Sequence, residues 1–272
     1  MNDTVGFIGL GDLGQPMAHN LLKDGYKLKV YNRAVSKAEA FAALGAEVAD
    51  QPRHAVTPGG VVITVVSDDA ALETIVMSEG FLEGLGSGGV HLSMSTVSPA
   101  LSKKLAARHA EHGSVYVEAP VFGRPEAAEA RELWICLAGP APEKARVRPL
   151  LEALSQGIYD FGEAAGAAVT VKLSGNFLII SAWLAMSEAL SLVKKSGVAP
   201  TKVIDMLSRT LFPAPVYQSY GKMIALDPEH LKTNWIGPKD IGLFKDLALQ
   251  VESPTDLVSL LQERLQTAER ID

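Results

Sequence analysis

Residues 5–14 read Val-Gly-Phe-Ile-Gly-Leu-Gly-Asp-Leu-Gly, a short apolar run that leads into three glycines with the spacing Gly-x-Gly-x-x-Gly. A helical pattern starts at Leu13, so the glycines connect a predicted strand to a predicted helix. In a dinucleotide-binding turn, such glycines allow a tight turn, close approach of a pyrophosphate and close helix packing, and the helix N-terminus offers N–H groups to the phosphates. An ordinary glycine turn is the alternative. The residues predicted to bind a dinucleotide are Gly9, Leu10, Gly11, Asp12, Leu13 and Gly14.

The remainder of the first half alternates short β-branched runs with helical patterns. The predicted strands are 5–9, 28–31, 61–66, 90–94 and 115–117, and the helices between them are 13–22, 37–44, 70–76 and 100–112. Continuous apolar strands separated by helices indicate a parallel sheet covered on both faces, which is a doubly wound fold. We expect the run 133–138, followed by a helix at 142–155, to add strands at the edge of this sheet.

The pattern changes after about residue 162, where the strand signal disappears. Residues 166–196 have the length and composition of one long helix that ends before Gly197 and Pro200. Shorter helical patterns follow at 201–209, 217–225, 239–251 and 255–270. The sequence therefore predicts an α/β protein with a Rossmann-type doubly wound parallel sheet at 1–163 and an all-α domain at 164–272 that serves substrate binding and oligomerisation.

The composition of the 272 residues narrows the class of partner. Hydrophobic residues make up 47% and charged residues 21%, which is normal for a globular protein with a packed core. The formal net charge is -6 and no dense cluster of lysine and arginine is present, so we expect a small-molecule partner and no nucleic acid. The sole cysteine, Cys136, cannot form an internal disulfide and is expected to be a buried structural thiol. No metal site is predicted.

The apolar segment 177–192 bears on location and assembly. Polar residues interrupt it, and it is shorter than the roughly 20 residues that cross a bilayer, so we expect a buried helix and no membrane partner. The first strand pattern begins at Thr4, which leaves no room for a signal peptide and favours a cytoplasmic location. A helix this apolar needs more cover than a small helical domain supplies, which predicts a homodimer or homotetramer.

The end of the second predicted strand indicates the choice of cofactor. A dinucleotide fold for NAD usually has an acidic residue there, which accepts hydrogen bonds from the ribose 2'-OH. Here the chain instead reads Tyr-Asn-Arg at 31–33, with Ser36 and Lys37 close behind. A guanidinium binds phosphate in a forked geometry, so Asn32 and Arg33 predict NADPH in preference to NADH. Solvated charges at a helix start are the alternative.

Lys172 and Asn176 lie four residues apart in the long helical pattern and so share one helix face. The residues around them, such as Val169, Leu173 and Phe177, are apolar. We expect the lysine to be partly withdrawn from water, as lysines that take part in proton transfer commonly are. On spacing alone, a structural helix whose lysine extends to solvent is an equally good interpretation.

In this order, the motifs resemble those of the β-hydroxyacid dehydrogenase family, which is related to 6-phosphogluconate dehydrogenase. The resemblance covers nearly the whole chain. Besides the opening glycine motif, there are four matching segments: Ser-Thr-Val-Ser-Pro at 95–99, Glu-Ala-Pro-Val-Phe-Gly at 118–123, the helix segment 166–176, and the pair Lys239-Asp240 with Pro254 at a suitable distance beyond it. Five motifs in one order are more specific than any of them singly.

The resemblance implies that NADPH gives a hydride to a carbonyl carbon while Lys172 protonates the oxygen and Asn176 helps to hold the reacting group. In the oxidation direction the lysine would act as the base. The resemblance also places Ser95 and Thr96 near nicotinamide and substrate, Ser67 against the cofactor, and Lys239 beside the nicotinamide end.

Two residues of the 118–123 loop region depart from the family pattern. Phe122 stands where the family commonly has a serine that holds a substrate carboxylate, and Arg124 replaces the glycine that usually follows Gly123. This departure removes the carboxylate anchor, makes the pocket more apolar at Phe122 and allows it to be cationic at Arg124, which could bind an anion by charge-assisted hydrogen bonds. Phe122, Gly123 and Arg124 are still expected to bind substrate, although a surface salt bridge is an equal alternative for Arg124.

The sequence therefore predicts an NADPH-dependent oxidoreductase acting on a small carbonyl or β-hydroxy acid, with a semialdehyde or glyoxylate as the leading substrate type by resemblance. One alternative is an imine reductase, which shares the architecture but often lacks the lysine at this helix position. The other is a non-catalytic module that senses the cofactor.

Overall fold

The computed structural model describes residues 4–228 and 237–268. The chain packs as two compact units, the first extending to Lys172 and the second starting at Leu173. This packing boundary falls inside a helix and not in a connecting loop. The predicted domain boundary between residues 163 and 164 stays a prediction.

A six-stranded parallel sheet forms the centre of the first unit. Its strands are β1 (Val5–Ile8), β2 (Leu28–Tyr31), β3 (Glu47–Val48), β4 (Val61–Thr64), β5 (Val90–Ser93) and β6 (Val115–Glu118). They lie in the order β3-β2-β1-β4-β5-β6, with every pairing parallel. The strand order reverses beside β1, where a doubly wound sheet opens a crevice at the carboxyl ends of its strands. The predicted doubly wound parallel sheet is confirmed.

Helices cover both faces of this sheet. They are α1 (Gly14–Lys23), α2 (Val35–Ala42), α3 (Asp69–Val76), α4 (Phe81–Leu85) and α5 (Pro99–Glu111), with a 3₁₀ turn at Pro52–His54. Neighbouring strand residues enter different cores: Phe7 packs in one apolar cluster and Ile8 in another, and both are fully buried. Side chains alternate across a strand, so these clusters lie on opposite faces of the sheet. Because β1 is buried on both faces, its sequence is a continuous apolar run.

A second, three-stranded sheet contains the segment that was expected at the edge of the main sheet. It consists of β7 (Val121–Phe122), β8 (Leu133–Leu137) and β9 (Ser155–Asp160), accompanied by α6 (Pro125–Glu129) and α7 (Ala141–Glu152). The edge-strand prediction was wrong, because β8 pairs with β7 and β9 and meets β6 through a single bridge between Glu118 and Ala138. Pro120 lies between β6 and β7 and has no N–H with which to continue a ladder.

Among its described residues, the second unit contains helices and no strand, as predicted. It contains α8 (Ala167–Lys195, whose first turns belong to the first unit), α9 (Pro200–Arg209), α10 (Pro215–Leu226), α11 (Gly237–Gln250) and α12 (Asp256–Ala268). One apolar core joins these helices and includes Leu184 of α8, Ile204 of α9, Ile224 of α10, Ile241 of α11 and Leu261 of α12.

Helix α8 has 29 residues and is long and apolar enough to cross a membrane by length and composition, a test that core helices of globular proteins also pass. In the most apolar 18-residue stretch of this helix, 33% is buried. The expectation of a buried helix at 177–192 holds for Trp183 and Leu190, which are buried, whereas Leu178 and Leu192 are exposed. The helix therefore presents apolar surface beyond what its own core covers.

Candidate active site

The three glycines of the turn after β1 differ in the space that surrounds them. Gly9 has a φ of +99°, and a Cβ there would lie 2.1 Å from the Val65 carbonyl oxygen. A Cβ at Gly14 would lie 1.9 Å from the Gly9 carbonyl oxygen, so both positions exclude a side chain. A Cβ at Gly11 would meet no atom within 4 Å. Gly11 thus faces open space, where a pyrophosphate can approach the backbone.

Side chains beside the turn hold it in this shape. The Leu10 N–H donates to Asn32 Oδ1 at 2.9 Å, and Asn32 Nδ2 donates to the Ala34 carbonyl at 2.9 Å. Asn32, predicted as a cofactor contact, therefore braces the turn. Gln15 Nε2 donates to the Leu10 carbonyl at 3.0 Å.

Helix α1 starts at Gly14 directly after the turn. Leu13 occupies its N-cap position, no side chain caps the first turn, and no acidic residue lies within that turn. Asp12 is exposed just before it. The positive end of the helix is thus left for an anion, and together with the space at Gly11 it fits the pyrophosphate of a nicotinamide dinucleotide.

Arg33 lies where β2 ends and is exposed, as are Ser36 and Lys37 at the start of α2. Among residues 4–228 and 237–268, no carboxylate forms an ion pair with Arg33. The acid that would contact a ribose 2'-OH is replaced by Asn32, which is engaged with the turn.

Three predicted residues follow the carboxyl ends of β4 and β5, at the same sheet edge as the glycine turn. Ser95 is buried, and its hydroxyl accepts from the Val66 N–H at 2.8 Å and lies 3.4 Å from the Thr64 carbonyl oxygen. It therefore ties the two strand ends together. Thr96 is half-buried beside it, and the exposed Ser67 donates to Asp68 Oδ2 at 2.6 Å.

Lys172 on α8 is 8% exposed, and its Nζ lies 4.0 Å from the centroid of the Phe122 ring. An ammonium over an aromatic face is stabilised by the ring quadrupole. The apolar cluster at this point contains Cys136, Ala138 and Ala168, with Phe122 and Val171 packed against it. The lysine is thus withdrawn from water on an apolar surface and does not extend to solvent.

Glu118, the last residue of β6, fixes the start of the helix that carries Lys172. Its buried carboxylate accepts hydrogen bonds from the Gly166 N–H and from the Ala168 and Val169 N–H groups, the latter two at 3.1 and 3.3 Å. Burial raises the pKa of Glu118, while the backbone donors favour its charged form. Glu118 belongs to the 118–123 motif, but its contact with the start of α8 was not predictable from that motif.

Three other buried groups near the sheet, Cys136, His91 and His109, have pKa values shifted away from neutral pH. Burial raises the pKa of the Cys136 thiol to about 11, so this buried cysteine stays protonated, as a structural thiol does. Burial also lowers the pKa of His91 and brings that of His109 to about 4. The two rings share a contact of 2.9 Å, and His91 also contacts Thr64 Oγ1 at 2.9 Å. They are neutral hydrogen-bonding groups of the core.

In the second unit, Asn176, Lys239 and Asp240 come together. The Asn176 amide donates to Asp240 Oδ2, and Lys239 Nζ lies 3.1 Å from Asp240 Oδ1. Asp240 is buried. From the sequence, Asn176 was expected beside Lys172, and Lys239 beside the nicotinamide end of the cofactor. Asp240, the carboxylate that contacts both Asn176 and Lys239, was not predicted as a site residue.

Gly123 and Arg124 follow Phe122. Gly123 has a φ of +148°, and a Cβ there would lie 2.5 Å from Leu133 Cδ2, so the position requires glycine. Arg124 is exposed at the N-cap position of α6. Their contact with substrate stays a prediction.

Two family models divide the chain between them. The model described as the NAD binding domain of 6-phosphogluconate dehydrogenase matches residues 4–162. The model described as the NAD-binding domain of NADP-dependent 3-hydroxyisobutyrate dehydrogenase matches residues 166–271.

Curated relatives match over nearly the whole chain. An uncharacterized oxidoreductase of Bacillus subtilis is 42% identical, covering 97% of this chain and 93% of the relative. The mitochondrial 3-hydroxyisobutyrate dehydrogenase of Mus musculus is 31% identical, covering 95% of this chain and 80% of the relative. A chloroplastic glyoxylate/succinic semialdehyde reductase of Arabidopsis thaliana is 27% identical, covering 97% of this chain and 74% of the relative.

Solved structures share the fold. The 3-hydroxyisobutyrate dehydrogenase of Mycobacterium tuberculosis, in a structure with L-serine, superposes with a TM-score of 0.87 at 24% identity, covering 98% of this chain and 94% of that chain. An imine reductase of Streptomyces aurantiacus gives a TM-score of 0.72 at 22% identity, covering 99% and 95%. With the two family models and the relatives that match along its length, the chain belongs to the β-hydroxyacid dehydrogenase family and is an NAD(P)-dependent oxidoreductase acting on CH–OH groups.

Proposed function

We propose that this enzyme uses NADPH to reduce a small carbonyl compound, and can oxidise the corresponding hydroxy compound, with Lys172 as the proton donor. The observation that carries the proposal is the placement of the Lys172 ammonium. It is buried over Phe122 at the start of a helix that Glu118 anchors to the carboxyl end of β6. A proton donor must be held in one position to serve a transition state, and these contacts fix the lysine.

NADPH supplies the hydride when it is bound. As the hydride reaches the carbonyl carbon, Lys172 Nζ gives one proton to the carbonyl oxygen, which becomes a hydroxyl group. In the opposite direction the neutral amine takes the hydroxyl proton. Asn176 holds the reacting group, and its hydrogen bond to Asp240 sets the orientation of its amide.

The substrate type that the relatives support is a small aldehyde acid of the semialdehyde or glyoxylate kind, because such compounds appear in the names of two of them. The test is a panel of such acids and simple aldehydes, with loss of NADPH absorbance as the readout. Turnover of a cyclic imine without turnover of any carbonyl compound would favour imine reduction instead. Cofactor binding without turnover would favour a sensing module.

Cofactor preference gives a first testable prediction. We expect NADPH to bind more tightly than NADH. Arg33 is exposed and available for the 2'-phosphate, and the end of β2 carries no acidic residue that would favour the ribose 2'-OH of NADH. Charge-assisted contacts contribute about 1.5–3 kcal/mol each, which corresponds to a preference of roughly tenfold or more. Fluorescence titration of wild type and Arg33→Ala measures this, and NADH affinity serves as the internal control. Equal dissociation constants for the two cofactors, or an unchanged preference in the variant, would refute the assignment.

Assembly gives a second prediction. The second unit exposes large apolar side chains on α8, α10 and α11, including Leu178, Leu192, Leu226 and Leu249. Extended exposed apolar surface is a mark of protein interfaces. We propose that the enzyme forms a homodimer or homotetramer through this unit. Light scattering at micromolar concentration should give a multiple of the chain mass, and a strictly monomeric mass would contradict the proposal.

A further inference from the structure

Three aromatic rings lie on the same face of the three-stranded sheet. In the antiparallel pair β7–β8, Phe122 lies opposite Trp134. In the parallel pair β8–β9, Trp134 is in register with Gly157 and Cys136 with Tyr159. Residues paired across strands share a face, as do alternate residues of one strand. Phe122, Trp134 and Tyr159 therefore form one surface, which we call the aromatic face.

The two faces of this sheet differ in their cover. On the opposite face, Leu133, Ile135 and Leu137 are buried in the main core of the first unit. On the aromatic face, Cys136 is buried in the cluster with Ala168 of α8, but Trp134 remains 41% exposed and Tyr159 remains 56% exposed. Large aromatic side chains with this much exposure, side by side, are typical of binding surfaces.

The Trp134 ring is held in place although it is exposed. It lies over Gly157, where a Cβ would come within 2.4 Å of Trp134 Cζ3, so the glycine makes room for the indole. Tyr159 flanks it, with ring centroids 5.9 Å apart and planes inclined at 47°. A ring that is already positioned loses little freedom when a ligand packs on it, which favours binding.

Lys172 contacts Phe122, the residue at one edge of the aromatic face. The ammonium of Lys172 lies 4.0 Å from the Phe122 ring centroid, and opposed side chains such as Phe122 and Trp134 have Cβ atoms about 5 Å apart. A carbonyl compound whose oxygen is hydrogen-bonded to Lys172 Nζ therefore starts its carbon chain beside Phe122 and can continue toward Trp134. The negative electrostatic potential of aromatic ring faces opposes a carboxylate on this path and accommodates alkyl or aryl groups.

We propose that the aromatic face binds the tail of the substrate, and that the preferred substrate is an uncharged aldehyde or ketone carrying an alkyl chain or an aryl group. This inference rests on the proposed function, because Lys172 must hold the carbonyl oxygen. It differs from the aldehyde acids favoured above in the class of substrate, since the names of the 3-hydroxyisobutyrate dehydrogenases and of the glyoxylate/succinic semialdehyde reductases refer to acids.

The test compares three aldehydes by kcat/KM for NADPH oxidation: 3-phenylpropanal, pentanal and succinic semialdehyde. Wild type is expected to prefer them in that order, with 3-phenylpropanal favoured over the acid by roughly tenfold or more, as burial of an aryl group gives. In Trp134→Ala the ratio of 3-phenylpropanal to succinic semialdehyde should fall about tenfold, and Trp134→Phe should restore most of it. Met77→Ala, at an exposed site after α3, should leave the ratio unchanged.

A second variant, Phe122→Ser, tests the inference independently of Trp134. A hydroxyl can donate to a carboxylate where the ring cannot, so this variant should shift the ratio toward succinic semialdehyde. A wild-type preference for succinic semialdehyde that neither Trp134→Ala nor Phe122→Ser alters would overturn the inference and leave the proposed function standing. Dissociation of an oligomer in Trp134→Ala, seen by light scattering, would assign the aromatic face to a subunit contact and overturn it as well. If wild type reduces no carbonyl compound at all, the proposed function fails together with the inference.

Discussion

Lys172→Ala is expected to lower carbonyl turnover by about 100- to 10,000-fold, the usual contribution of general acid–base catalysis, while NADPH affinity stays nearly unchanged. The two effects should separate because the lysine lies on α8 over Phe122, whereas the proposed pyrophosphate site is the glycine turn between β1 and α1. Water is a poor substitute for the ammonium, since an apolar surface gives it no fixed position. Steady-state turnover beside NADPH fluorescence titration measures both quantities.

Two further variants sharpen this result. Lys172→Arg should rescue little, because a guanidinium keeps its proton and cannot act as the base in the oxidation direction. Asn176→Ala should be milder than Lys172→Ala if the amide orients the reacting group without transferring a proton. A Lys172→Ala enzyme that keeps more than about a tenth of wild-type activity would remove the lysine from the mechanism and favour the imine-reductase interpretation.

Gly11→Ala is expected to weaken NADPH binding by roughly tenfold to 100-fold without lowering the free energy of unfolding of the cofactor-free protein. The added methyl group would meet no protein atom within 4 Å, so the fold accommodates it. It would instead occupy the space that a pyrophosphate enters. The bound cofactor would then lose one or more charge-assisted hydrogen bonds, which contribute about 1.5–3 kcal/mol each. Fluorescence titration with NADPH and urea unfolding without it measure the two effects.

Gly14→Ala is the matched comparison, because the same methyl group would lie 1.9 Å from the Gly9 carbonyl oxygen. It should lower the free energy of unfolding by about 1–3 kcal/mol, as overpacking commonly does, in addition to weakening NADPH binding. If Gly11→Ala binds NADPH as tightly as wild type, the pyrophosphate does not approach the backbone at Gly11.

The parts of the fold that were predictable from sequence rest on local patterns. The run that became β1 and the glycine spacing behind it involve neighbouring residues, and buried parallel strands show themselves as continuous apolar runs. The three-stranded sheet was not predictable in this way. Val121–Phe122 is too short to show a period, and Ser155–Asp160 is a mostly polar segment that becomes a strand by pairing with Leu133–Leu137. Such pairing depends on residues far apart in the chain.

The same distinction applies to the candidate site. Lys172 and Asn176 were predicted as site residues because helix spacing and family motifs both indicate them. The carboxylate of Glu118, by contrast, reaches the helix N-terminus from a position 48 residues earlier in the chain. Phe122 was noticed as a departure from the family, but its contact with Lys172 follows from β7 pairing with β8 and lying against α8. Tertiary contacts of this kind leave no periodic signal.

Lys172 and bound NADPH are expected to reduce a carbonyl group together. The most direct measurement uses NADPH carrying deuterium at both C4 positions, with the aldehyde panel described above and mass spectrometry of the products. We predict that wild type forms an alcohol with one deuterium on the former carbonyl carbon, and that Lys172→Ala forms almost none although it still binds the labelled cofactor. Deuterated product from a cyclic imine but from none of the aldehydes, or equal amounts of alcohol from wild type and Lys172→Ala, would contradict this account.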